Sequence, residues 1–314
     1  MADNKTYSAE SIKVLEGLEA VRKHFDVVEL SKKIKRQGDI LILSHELKIR
    51  PRILKSAVYE GRILSFFPKL DKSKAGILAS LRTDRELSLF SKKHDIYNTH
   101  ARELIQLVRN WNQEIQKNPF MLISQEEHDL IIGSLLGDAS IRQRDKNSCF
   151  RFSHSIKQRE YCEVKKNILK SFNISEFREV KRKIKDSFIH AIDFSTKTHP
   201  VFNYYRNLFY KNNKKIISTD MLNQLNSRSL TYWICDDGSF SKTQRYIILC
   251  TNSYNLEEHE LMKKFFNEKF GLNPTIGFRD NKYYYLRFKK QDSEKLIQII
   301  KPFISKSMIY KIGE

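Results

Sequence analysis

Two stretches of the chain run apolar at helical spacing and then stop at a carboxylate. Residues 131–139 read IIGSLLGDA and residues 230–238 read LTYWICDDG. Each ends at an acid, Asp138 or Asp237, with a small residue directly after it. A carboxylate is badly placed there, because the helix macrodipole already puts negative charge at that end. Two such ends brought together repel further and raise a carboxylate's pKa. A divalent cation removes both penalties, so Asp138 and Asp237 read as a metal-binding pair.

The pattern around each stretch extends this picture. Ser124 and Glu127 form a capping box ahead of the first helix. Gly133 and Gly137 lie four apart on one face and predict a close backbone contact, with the second helix as the partner. Asn226 or Ser227 caps that second helix, and the bulky Tyr232 predicts a looser or shifted contact. After Asp138 the period falls to two, with Arg142 and Arg144, then Arg151, Ser153 and Ser155, on a polar face. Residues 157–172 read as a helix with Tyr161, Val164, Ile168 and Phe172 inward. A basic strand follows with Lys181, Lys183 and Lys185 on one side, and residues 187–196 pair with it. After Asp237 come a strand pair ending at 246–251, a helix over 256–270, a hairpin over 275–288 turning at Asp280-Asn281, and a helix over 294–303. Arg279, Arg287 and Lys289 lie near these last strands. The order helix, two strands, helix, two strands, helix thus occurs twice, in 122–200 and 201–314. This is an α+β fold with pseudo-twofold symmetry inside one chain.

Residues 24–115 are helical in pattern and hold a weak repeat at an offset of 47. Residues 43–49, 50–52 and 53–63 read helix, turn, helix, and residues 90–96, 97–99 and 100–111 read the same way. This layout suits a helix-turn-helix whose second helix enters the DNA major groove, with Arg50, Arg52, Lys55, Thr99 and Arg102 facing DNA. It equally suits two packed helical hairpins whose basic residues are merely solvated. Residues 113–120, with Asn118-Pro119, read as a linker.

Charge then narrows the partner. Lys and Arg number 57 against 37 Asp and Glu, a formal charge of +20 and a pI near 9.6. Solubility needs far less, and such an excess points to nucleic acid. Hydrophobic content of 40% supports a folded chain. The four cysteines, Cys149, Cys162, Cys235 and Cys250, lack metal spacing and read as buried thiols of a reducing compartment. His154 and His190 lack zinc-type partners and read as structural or DNA-contacting. No apolar run reaches membrane-spanning length and the start lacks a signal peptide, so a cytoplasmic setting without membrane contact is expected.

The two acid-terminated stretches resemble the paired LAGLIDADG motifs of homing endonucleases of the single-chain, two-motif type. The runs GDASIRQRDKNSCFRF at 137–152 and KPFISKSMIYK at 301–311 extend the resemblance, which covers about 122–312. It implies a monomeric, Mg²⁺-dependent (or other divalent-dependent) endonuclease cutting double-stranded DNA at a specific site. It also implies basic sheets along the major groove, with Asp138 and Asp237 holding metal. Beside them it puts a lysine at Lys311 and another at Lys215, though Lys214 is adjacent and either could instead be a surface lysine on backbone phosphate. Asp236 either assists the metal or caps its helix. Residues 7–23, YSAESIKVLEGLEAVRK, resemble the opening of the bacterial DNA gyrase B subunit, which suits an exon-coded leader in a bacterial or phage intron, with an organelle as the other setting; an ordinary amphipathic helix with Ile12, Leu15, Leu18 and Val21 on one face is the alternative. An intron maturase binding RNA, and a DNA-binding regulator without catalysis, are the competing readings. Neither needs both carboxylates. An intein is disfavoured by the Met-Ala opening and the Ile-Gly-Glu close.

Overall fold

A computed structural model describes residues 18–34, 37–184 and 187–314. Most of the gyrase-like stretch, with Ile12 and Leu15, lies outside the described residues, as does Lys185. The chain divides into two units, Met1–Trp111 and Asn112–Glu314.

The first unit is helical: α1 (Leu18–His24), α2 (Val27–Lys33), α3 (Gln37–Glu46), α4 (Pro51–Phe66), α5 (Lys72–Leu78), α6 (Asp84–Lys93) and α7 (Ala101–Lys117) as far as Trp111. Asp26, Asp71 and Thr83 each accept backbone N–H bonds as N-caps of α2, α5 and α6. The helix α4 is its centre and packs against α1, α2, α3 and α5, burying Leu54, Ala57 and Ile63 completely. A Cβ on Gly61 would fall 1.7 Å from the Val27 carbonyl oxygen, so only glycine allows this approach. The expected helix pairs exist as α3–α4 and α6–α7, joined by turns over 47–50 and 94–100. Arg50, Arg52 and Arg102 are exposed, with Lys55 and Thr99 half-buried. Because α7 continues to Lys117, the linker is shorter than the sequence suggested.

In the second unit, α8 (Gln125–Leu136) leads into β1 (Ser140–Arg144), β2 (Asn147–Ser155), α9 (Arg159–Ile168), β3 (Arg178–Ile184), β4 (Ser187–Ser195) and α10 (Phe202–Phe209). A short hairpin of β5 (Tyr210–Lys211) and β6 (Lys214–Lys215) and a turn of helix, α11 (Thr219–Leu222), connect to α12 (Ser227–Asp237). Then come β7 (Gly238–Ser241), β8 (Tyr246–Leu249), α13 (Leu256–Phe270), β9 (Thr275–Arg279), β10 (Tyr283–Phe288) and α14 (Lys290–Ile300). The αββαββα order therefore repeats, and the two sheets share one topology, β1-β2-β4-β3 and β7-β8-β10-β9. The Ser124–Glu127 capping box forms, and Asn226 rather than Ser227 caps α12. The β9–β10 turn places Asp280 and Asn281 at φ 53° and 48°, the left-handed pair that a tight hairpin of this hand requires. The last helix starts at Lys290, four residues earlier than expected.

In the first sheet, Phe150, Phe152 and His154 of β2 and Ile192 and Phe194 of β4 face the core. One expectation inverts on α9: Lys165 is fully buried while Val164 is 37% exposed. Apolar periodicity assigned Val164 inward, but a buried carboxylate described below claims the lysine. All four cysteines are free thiols, three of them buried. Among the described residues no helix is long and apolar enough to cross a membrane.

Candidate active site

The two motif helices meet backbone to backbone. A Cβ on Gly133 would lie 2.0 Å from the Ser229 carbonyl oxygen and 2.8 Å from Tyr232 Cβ; one on Gly137 would lie 2.4 Å from Asp236 Cβ. The contact is not loosened at Tyr232, whose own Cβ is among the atoms that an added Cβ on Gly133 would meet. This seam brings the C-terminal ends of α8 and α12 together, with Asp138 just past one and Asp237 closing the other.

Each helix end is met by a lysine. Lys215 Nζ donates to the carbonyls of Leu135 (2.7 Å), Gly137 (3.1 Å) and Ala139 (2.7 Å) around Asp138. Lys311 Nζ donates to the carbonyls of Asp236 (3.3 Å) and Gly238 (2.8 Å) around Asp237. These carbonyls belong to or flank helix ends that carry unmet acceptors and negative dipole, so an ammonium compensates both. The choice between Lys214 and Lys215 follows from the β5–β6 hairpin. Its turn uses Asn212 and Asn213 at positive φ, and strand alternation sends Lys214 out and Lys215 in. Neither Lys215 nor Lys311 is a surface lysine; both are partly buried. Burial lowers the Lys215 pKa to about 8 despite the pull of the nearby aspartates.

The carboxylates differ. Burial, then the charges of Asp138 and Asp236, push Asp237 up to about 8 against the weaker pull of Lys215 and Lys311. Among the described residues no side chain hydrogen-bonds or ion-pairs with its carboxylate. The Asp138 side chain is 41% exposed, and His154 Nδ1 stands 3.4 Å from its Oδ2. Burial raises Asp138, but the His154 ring and the charges of Lys165 and Lys311 outweigh it and hold the acid below its ordinary value.

Asp236 neither caps the helix nor stands free as a metal ligand. Its carboxylate is buried and accepts from Lys165 Nζ at 2.8 and 3.0 Å and from the Tyr161 hydroxyl at 3.0 Å. Lys165 Nζ also lies 3.0 Å from His154 Nε2. One potential ligand atom each from Asp138, His154 and Asp236 lie within 4.8 Å of one another. The lysine already occupies both Asp236 oxygens. Asp138, 41% exposed, and Asp237, whose carboxylate has no side-chain hydrogen bond or ion pair among the described residues, are the acids left open to a divalent cation.

The open faces of both sheets are basic. Register puts Arg142, Arg144 and Arg151 on one face of the first sheet, opposite the core. Lys181 pairs with His190 and Lys183 with Phe188, so both share the side of Ile192 and Phe194 instead. The basic β3 residues on the face of Arg151 are Arg178 and Arg182, and Asp193 pairs with both, at 3.4 and 2.5 Å. Reading β3 alone could not fix that parity, because it is set by pairing with β4. In the second sheet Arg279 and Arg287 lie opposite the core with Tyr283 and Tyr285, and the Arg287 guanidinium sits 4.2 Å from the Tyr246 ring centre. Among the described residues, Arg142, Arg144, Arg151 and Arg279 have no carboxylate partner.

A model of the LAGLIDADG DNA endonuclease family matches residues 128–296. A "probable intron-encoded endonuclease 1" of Wickerhamomyces canadensis is 31% identical over 206 residues, 62% of this chain and 87% of the relative. A "cytochrome b mRNA maturase bI2" of Debaryomyces hansenii is 30% identical over 208 residues, 61% of this chain and 75% of the relative. Both organisms are yeasts, so these relatives lend no support to the expected bacterial or phage setting. The solved structure of the homing endonuclease I-WcaI bound to its DNA recognition sequence aligns at a TM-score of 0.57 and 25% identity, covering 66% of this chain and 92% of that one. The chain belongs to the LAGLIDADG DNA endonuclease family.

Proposed function

We propose that this protein is a site-specific, divalent-metal-dependent double-strand DNA endonuclease in which each half cuts one strand. The observation that carries the reading is that Lys215 and Lys311 each donate to backbone carbonyls flanking Asp138 and Asp237 at two touching helix ends. Phosphodiester hydrolysis needs an activated water and neutralisation of charge on the phosphate and the leaving oxygen. Asp138 and Asp237 would hold the cation, Mg²⁺ being the expected ion, which when bound supplies Lewis-acid stabilisation of that charge. Lys215 and Lys311, each fixed on carbonyls beside an aspartate, bring a positive charge next to each scissile phosphate. Arg142, Arg144, Arg151, Arg279 and Arg287 would meet the DNA on the two open sheet faces, with the phosphate backbone providing most of the affinity. Arg50, Arg52 and Lys55 would add contacts from the helical unit. We read the first half as running on through Lys215, so that each half ends in its own lysine. Both half-sites lie in one chain, so the active species is a monomer and the cutting rate rises linearly with protein concentration.

The test is incubation with a plasmid library carrying randomised inserts, and with an intronless gyrase B fragment, in Mg²⁺, Mn²⁺ or EDTA. A discrete metal-dependent cut, absent in an Asp138→Asn, Asp237→Asn double variant, supports the reading; retention of the cut in that variant refutes it. A second reading, binding of intron RNA, is favoured by the maturase relative. It predicts tight RNA binding that survives loss of both aspartates.

A further inference from the structure

We propose that the two half-sites are unequal by construction, with His154 acting as a positioning residue for Asp138 that has no counterpart beside Asp237 among the described residues. The inference rests on the endonuclease reading above and adds to it a residue with a stated role.

The side chain of His154 is wholly buried, and its Nδ1 has no hydrogen-bond partner, the nearest carboxylate being Asp138 with Oδ2 at 3.4 Å. An orphaned polar atom in so dry a place is costly and calls for a function. The other ring nitrogen decides which. Lys165 sits between the Asp236 carboxylate and His154 Nε2. An ammonium has three donors and no acceptor, so Nε2 must be the bare, accepting nitrogen. The hydrogen of the neutral ring is then on Nδ1, the nitrogen 3.4 Å from Asp138 Oδ2, and a small shift of the exposed carboxylate would bring the two into a hydrogen bond. That makes His154 a donor to the carboxylate, and it removes Nδ1 as a metal ligand although the distance alone would allow one. Lys165 is itself held, fully buried, by both Asp236 oxygens and over the Tyr161 ring at 4.4 Å. The order of dependence is therefore Asp236 to Lys165, Lys165 to the His154 tautomer, and His154 to the Asp138 rotamer.

The second half breaks the symmetry at the corresponding place. Extending the registers Ser140↔Arg151 and Gly238↔Leu249 sets Asp138 across from Ser153 and Asp237 across from Cys250, and Cys250 N–H indeed donates to the Asp237 carbonyl. The next residue along is His154 in one hairpin and Thr251 in the other. Thr251 turns its hydroxyl to His259 Nε2 at 2.7 Å and offers nothing to Asp237.

The first arm of the test needs no DNA. In full-length protein with ¹⁵N-labelled histidine, the resonances that vanish in His154→Asn are those of His154. They should show the hydrogen on Nδ1 and a bare Nε2, and Lys165→Met should abolish that bias. A hydrogen on Nε2, or on both nitrogens, overturns the proposal. The second arm uses the plasmid selected from the randomised library, with each strand labelled separately. His154→Leu should slow cutting of one strand on the order of 10- to 100-fold relative to the other, leaving a nicked product. His154→Asn, whose amide nitrogen reaches the Nδ1 position, should restore most of the rate; His154→Gln, which reaches the Nε2 position, should not. Equal slowing of both strands overturns the positioning role. If the wild type cuts no library member, the endonuclease reading fails, and the imidazole spectrum still decides the arrangement.

Discussion

Replacing Gly133 by alanine adds one methyl group at the point where the two motif helices touch. The new Cβ would stand 2.0 Å from the Ser229 carbonyl oxygen, against a practical minimum near 3.0 Å, and 2.8 Å from Tyr232 Cβ. The obstacle is backbone on the facing helix, so α8 and α12 must separate by about 1 Å; no rotamer change relieves it. A gap of that size forfeits roughly a quarter to a half of the dispersion energy across the seam, on top of an overpacking cost of about 1–3 kcal/mol. We expect a loss of about 3 kcal/mol from the second unit. Since an error of about 1 Å in placing reacting groups can lower a rate about 100-fold, cutting should fall further than stability explains. The assay is urea unfolding followed by hydrogen exchange in peptides from α8 and α12. Gly76→Ala serves as the opposite case: that glycine is exposed within α5 with nothing within 4 Å of the added Cβ, so the same methyl should stabilise the first unit by about 0.5–1 kcal/mol. Full protection of α8 in Gly133→Ala would refute the claim that the seam is what holds the two aspartates.

Four further outcomes follow from the same geometry. Without metal, Asp237→Asn should raise the melting temperature of the second unit at neutral pH, because burial lifts the Asp237 pKa to about 8 and an acid that ionises freely in the unfolded chain then favours unfolding; Mg²⁺ should raise it in the wild type alone, and a metal response in Asp138→Asn, Asp237→Asn contradicts this. His128 is buried against the Tyr205 hydroxyl and held neutral, with its pKa lowered by burial to about 4. The stability this confers is complete above pH 6.5 and lost as pH falls from there toward 4, by about 3 kcal/mol, and His128→Gln should flatten the slope in that window. If the five arginines proposed to meet DNA (Arg142, Arg144, Arg151, Arg279 and Arg287) each neutralise one phosphate, the log–log salt slope of DNA binding is about −4.5, from 0.9 × 5, and a flat slope would deny extended contact. Lys165→Met leaves Asp236 buried without its cation and should cost about 3–5 kcal/mol in urea unfolding, most of it recovered in Lys165→Met, Asp236→Asn; additive losses would show the pair to be uncoupled.

What was legible in the sequence was what local rules govern. The two aspartates, the Gly133 and Gly137 contact, the Ser124 box and the Asp280-Asn281 turn each depend on residues a few positions apart. Lys215 and Lys311 came from resemblance, and hairpin alternation then separated Lys215 from Lys214. What escaped depends on pairing between distant segments. Lysine is among the residues least often buried, so nothing in α9 announced Lys165 as the neutraliser of an aspartate 71 positions away (236 − 165). The same distance hid the role of His154, whose sequence neighbours show no ligand spacing. On β3 the alternation was visible but its sense was not, because one step of register exchanges Lys181 and Lys183 with Arg178 and Arg182.

The most direct measurement is strand-resolved cleavage of a selected supercoiled plasmid by the wild type, Asp138→Asn and Asp237→Asn in Mg²⁺. Two half-sites, each serving one strand, predict a linear product from the wild type and single nicks on opposite strands from the two variants. Linear product from either variant, or nicks on the same strand from both, would contradict the account.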